Sequence, residues 1–111
     1  MVKARIKPKA VVREYIGGLK NKIKIDKVIF FGSAAKNKFG RNNDLDIIVL
    51  SKNFKKMNFL RRLELLSCAR NGNSRKVPMD IIGYTAEEFN KLSKESAVLK
   101  EAKQTGKVIW P

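Results

Sequence analysis

The chain has 111 residues, 43% of them hydrophobic, and a formal net charge of +15. That is enough for one domain with a real core, and too little for a catalytic domain plus a separate substrate domain. With no histidine and one cysteine, a His-based zinc site, a Ser-His-Asp triad, a Cys-His pair and a disulfide framework are all excluded. No apolar run approaches the roughly 18 residues of a membrane span. No signal-like apolar stretch follows the basic N-terminus, which points to the cytoplasm.

The charge is uneven. Residues 1–76 carry twenty basic and five acidic side chains, whereas residues 77–111 carry five of each. Such an excess serves solubility or an anionic partner: a nucleotide, a nucleic acid or an acidic protein. Charge alone does not choose among them.

In chain order, Pro8 suits a first helical turn. Ala10, Val11, Tyr15, Leu19 and Ile23 then recur at helical spacing despite the Gly17-Gly18 pair, so a helix is expected over 8–22. Ile25 to Phe31 is a short β-rich run closed by Gly32. Ser33 to Lys38 fits one helical turn, and 40–43 a loop. Asp44 to Leu50 reads as a second strand, with Leu45, Ile47 and Val49 on one face and Asp44, Asp46, Ile48 and Leu50 on the other. Phe59, Leu60, Leu63, Leu66 and Ala69 mark a helix ending near Asn71-Gly72. Cys68 is expected to be buried in it. Lys76 to Tyr84 is a third strand, with Pro78 at its start or on an edge. Thr85 and Glu88 have capping-box spacing and open a further helix. Helix continues to about Gln104, Gly106 breaks it, and 107–110 forms a last short strand whose Trp110 is expected in the core. This order, αββαββ-like with two helices before the last strand, predicts one α/β domain over 1–111 with a single sheet covered by helices.

The chemistry concentrates between Phe30 and Leu50. Asp44 and Asp46 alternate on a strand, so they face one side about 6.5–7 Å apart. Adjacent carboxylates resist joint ionisation unless a cation sits between them. Asp80 lies in another apolar strand; if the two strands are neighbours, three carboxylates converge. Such a set can hold Mg²⁺, even a two-metal site for displacement at phosphorus. Gly32 lets backbone approach a phosphate, and Ser33 adds a hydroxyl. Lys36, Lys38 and Arg41 add charge in the same loop. Singly, each residue has a structural reading: the Asp-x-Asp as a turn or cap, Asp80 as a strand-edge residue, Ser33 as a cap. An EF-hand loop is excluded, because its glycine and distal glutamate are missing.

The stretch from Phe30 to Val49 resembles the signature of the DNA polymerase beta-type nucleotidyltransferase superfamily. Gly32-Ser33 is followed by ten residues and then Asp44-Leu45-Asp46, and Asp80 stands where a later strand carries the third acidic residue. At this length the chain is most similar to the minimal nucleotidyltransferases, or MntA-like antitoxins. The resemblance implies a mixed β-sheet flanked by helices in one small α+β domain. It implies Mg²⁺, two ions in the fullest case, and ATP as substrate. Asp44, Asp46 and Asp80 would be the catalytic and metal-ligating residues; Gly32, Ser33 and Lys36 would contact the nucleotide. It further implies an antitoxin that transfers AMP to a tyrosine of a HEPN-family partner. Ala34 and Asn37 depart from the arginine and glycine frequent in the family, and Lys36 is positioned to replace the arginine. Two other readings compete: a non-catalytic partner-binding antitoxin, and a basic nucleic-acid-binding module, against which few aromatics and no evident recognition helix speak.

Overall fold

A computed structural model describes residues 7–32 and 45–110. Among them lie helices α1 (Pro8–Leu19), α2 (Phe59–Cys68), α3 (Ala86–Leu92) and α4 (Ala97–Thr105), and strands β1 (Lys27–Phe31), β2 (Leu45–Leu50), β3 (Met79–Tyr84) and β4 (Lys107–Trp110). The four strands form one sheet in the order β3-β2-β1-β4. β1 pairs antiparallel with both β2 and β4, and β2 pairs parallel with β3. The sheet is therefore mixed and the fold α+β. A parallel pair needs a long crossover, and α2 supplies it. No described helix is long and apolar enough to cross a membrane.

Period-two alternation builds two cores, one on each face of the sheet. On one face Val28, Phe30, Leu45, Ile47 and Val49 meet Val12, Tyr15, Ile16 and Leu19 of α1, Leu66 of α2, and Phe54. On the other, Ile29, Phe31, Ile48 and Leu50 meet Phe89 of α3 and Leu99 and Ala102 of α4. The Tyr15 hydroxyl donates to Leu66 O at 2.6 Å, tying α1 to α2; burial raises its phenol pKa well above the ordinary value, against a smaller lowering by Arg70. Gly18 explains half of the glycine pair in α1: a Cβ there would sit 2.2 Å from Asn71 Nδ2 and 3.0 Å from Ala69 O.

Helix and strand limits follow the expected pattern, with local corrections. α1 stops at Leu19, and residues 20–22 form a turn. Its buried stripe includes Val12 and Ile16, while Ala10 is exposed. In α2, Phe59 (61% exposed), Leu60 (72%) and Leu63 face outward. The inward row is instead Arg62, Leu66 and Ala69, because residues three and four apart share a face. Cys68 follows the outward face and is exposed. Thr85 and Glu88 form the expected capping box. Pro78 precedes β3, which is an edge strand. Trp110 packs against the first core, half-buried, with Nε1 donating to Ile25 O at 3.3 Å.

Candidate active site

The parallel register of β2 and β3 pairs Leu45 with Met79 and Asp46 with Asp80. The backbone fixes this register before either strand begins in earnest. Leu45 N donates to Pro78 O at 3.0 Å, and proline's carbonyl is available although its nitrogen cannot donate. Arg70 holds the approach to β3, donating to Ser74 O and Val77 O. Neighbouring strands lie about 4.8 Å apart, so the two aspartates stand abreast on one sheet face. Asp46 is half-buried and Asp80 exposed.

β1 completes the corner from the other side. Phe31 is the antiparallel partner of Asp46, so Gly32, the next residue, arrives beside the same carboxylate. Gly32 has φ +80, a conformation that L side chains rarely adopt. A Cβ added there would lie 2.4 Å from Asp46 Oδ2. The glycine is required twice, for its backbone and for the room it leaves. The C-terminal end of β1 and the N-terminal ends of β2 and β3 thus bring Gly32, Asp46 and Asp80 together at one end of the sheet.

Ser33, Lys36 and Asp44 lie outside the described residues, as do Ala34, Asn37, Lys38 and Arg41. Among the described residues no group of three or more acidic or thiol side chains could hold a metal; Asp46 and Asp80 are the pair available. Two oxygen-bearing side chains abreast suit a hard divalent cation that keeps waters and phosphates as its other ligands. They do not suit a soft-metal site.

A second cluster, centred on a buried arginine, is not among the sequence expectations. Arg62 is 8% exposed, and all five of its N–H groups have acceptors. Nε reaches Met57 O, and the terminal nitrogens reach Gly83 O, Phe54 O and both oxygens of Glu88, at 2.7 and 3.0 Å. The guanidinium also lies 5.6 Å from the Phe54 ring centroid. Glu88 is lowered from the usual carboxylate range, first by its hydrogen bond from Arg62, with burial opposing. One signal was available: Arg62 stands four residues before Leu66, on the apolar row of an amphipathic helix.

The profile of the nucleotidyltransferase domain family matches residues 12–105. No functionally curated protein matches the chain. Among solved structures, a candidate nucleotidyltransferase from Sulfolobus solfataricus is 23% identical, covers 82% of this chain and 84% of its own, and superposes with a TM-score of 0.62. A crystal structure of a toxin–antitoxin with AMP-PNP is 26% identical, covers 88% of this chain and 71% of its own, with a TM-score of 0.61. The matched segment runs from within α1 to the end of α4 and includes the corner where Gly32, Asp46 and Asp80 meet, and the chain belongs to the nucleotidyltransferase domain family.

Proposed function

We propose that this nucleotidyltransferase is a Mg²⁺-dependent protein adenylyltransferase, the antitoxin of a toxin–antitoxin pair, and that it moves AMP from ATP to a tyrosine of a HEPN-family toxin. The observation that carries the reading is the register pairing of Asp46 with Asp80 beside Gly32. The likeness to a toxin–antitoxin with AMP-PNP supports the nucleotide and the protein partner.

Asp44, Asp46 and Asp80 would hold the metal. When bound, the metal supplies charge neutralisation at the phosphates. The chain's own residues do the rest. Gly32 makes room for the Asp46 carboxylate at the corner, and Ser33 and Lys36 would offer a phosphate a hydroxyl and a charge. In the transfer, the acceptor oxygen bonds to the α-phosphorus, the bond from that phosphorus to the bridging oxygen breaks, and pyrophosphate leaves. Asp80 or a water beside it takes the hydroxyl proton. Its exposure on an edge strand leaves it open to a protein-borne hydroxyl, which suits a macromolecular acceptor.

The test incubates the protein with α-phosphate-labelled ATP, Mg²⁺ and proteins of the source cell, and compares Asp46→Asn. A labelled band that needs both Mg²⁺ and Asp46, with the label on a tyrosine of a HEPN protein, is expected. Label on nucleic acid, or equal labelling by the variant, would reject the reading.

A further inference from the structure

The end of the sheet opposite the aspartates carries a trough of about 740 Å³ lined by Lys20, Lys22, Lys24, Lys56 and Arg61. No acidic side chain lines it among the described residues. Asp26, the nearest carboxylate along the chain, accepts from Lys52 N. The trough is built rather than incidental: both backbone polar groups of Lys24 are held, its N–H by Asn53 Oδ1 at 2.9 Å and its carbonyl by Ser51 Oγ at 2.6 Å. Five residue steps along β2 separate Asp46 from Ser51, about 16 Å of sheet.

Lys20 also lines an adjoining recess of about 360 Å³, with Arg13, Ile16, Gly17, Ile109 and Trp110. Lys20 lines both depressions, and Trp110 is fixed in the second by its Nε1 donating to Ile25 O. Gly17 has no packing reason to be glycine: a Cβ there would meet nothing within 4 Å. A glycine inside a helix costs about 1 kcal/mol against alanine. At Gly17 the missing side chain keeps the recess beside Trp110 open.

We infer that this surface binds single-stranded nucleic acid, with phosphates along the lysine trough and one unstacked base in the recess against Trp110. A row of cations alone would serve any polyanion. An aromatic and cation-lined recess that shares Lys20 with the trough favours a ligand that has both phosphates and planar rings over an acidic peptide. The inference is independent of the adenylyltransferase reading, since it uses none of the residues at the other end of the sheet.

The chain has one tryptophan, so intrinsic fluorescence reports on the recess directly. Titration with a uridine dodecamer is expected to quench Trp110. Affinity should fall steeply with salt, with a slope of about −0.7 per phosphate contact. Replacing Lys22, Lys24 and Lys56 together by Gln should weaken binding at least tenfold and flatten the slope by about 2. The same change at Lys94, Lys100 and Lys103, which line a separate cationic depression, removes equal charge and should cost less than twofold. Gly17→Leu should leave the fold intact, fill the recess and abolish the quenching. Equal losses from the two lysine triples would reduce the effect to bulk charge and overturn the site. Binding without change in Trp110 emission would overturn the recess. Displacement of the oligonucleotide by polyglutamate of matched charge, with Trp110 emission responding to both, would instead make the surface a dock for an acidic protein.

Discussion

Asp46–Asp80 and Arg62–Glu88 are both pairs of charged side chains brought together by the fold, and they are built on opposite principles. Glu88 is 40% exposed, yet both of its oxygens are matched to a guanidinium whose remaining N–H groups are spent on backbone carbonyls. The strands and α3 place it to be satisfied. Asp46 is set by the same kind of register beside another carboxylate, at a glycine that makes room for it. The difference separates a staple from a site. Arg62 and Glu88 complete one another within the fold, whereas Asp46 and Asp80 are brought abreast by strand register at the corner where the proposed reaction takes place.

The sharpest division comes from Asp46→Asn. Transfer should fall by roughly a thousandfold, the range for losing a group that acts at the reacting atoms. The melting temperature should change far less than in the Arg62 variant below, because Asn keeps the side chain's volume and its accepting oxygen. Calorimetry beside the transfer assay checks both halves. A variant that keeps its activity, or that melts markedly lower, would place Asp46 with the structural pair.

Arg62→Ala should do the reverse. It leaves the carbonyls of Gly83 and Phe54 without their donor and removes Glu88's partner. Breaking a buried pair costs on the order of 3 kcal/mol at the low end, and Glu88's exposure argues for that end. In a domain of this size that is about 10–20 °C in melting temperature. Transfer per folded molecule should be retained below the transition. Gly32→Ala is the intermediate case, since the residue serves backbone and site together. Its φ penalty is about 1–2 kcal/mol, and the displaced Asp46 carboxylate should lower transfer on the order of a hundredfold. A stability loss without an activity loss would show that the close approach to Asp46 is incidental.

Much of this was legible in the sequence because it is local. The capping box at Thr85 and Glu88, the stop at Gly106, the alternation in 45–50 and the Gly-Ser to Asp-x-Asp spacing each follow from neighbours along the chain. That Asp80 stands abreast of Asp46 was conditional on strand adjacency, which is set by the α2 crossover and not by either strand. α2 is rotated so that its expected apolar row is buried only at Leu66 and Ala69. Phe59, Leu60 and Leu63 carry the apolar character, but Arg62 is the residue drawn inward, because a fully matched guanidinium can be buried and hydrophobicity alone does not count its acceptors. Cys68 went outward with that rotation. The trough opposite the site is visible in the sequence only as excess charge; the neighbouring recess, which shares Lys20 with it, needs Trp110 brought in by β4 returning beside β1, a contact between distant parts of the chain.

The smallest effect tests the staple through pH. Glu88 has its carboxyl lowered from an ordinary value of 4.5, chiefly by the Arg62 hydrogen bond. A depressed folded-state pKa contributes stability that is present above the unfolded value and lost as pH falls through the folded one. Glu88→Gln keeps the side chain's length and removes its charge. At pH 7 the variant should be less stable, by under about 1 kcal/mol, because the pair is partly exposed and screened. The gap should narrow as pH drops below about 4.5 and close once Glu88 is protonated in the folded protein. Raising the salt at pH 7 should narrow it in the same direction. Urea midpoints of both proteins at pH 7, 5 and 3 read this out. A gap that holds constant from pH 7 to pH 3 would mean that Glu88 acts through its cap on α3 rather than through its charge, and the pairing with Arg62 would then be geometry without electrostatic weight.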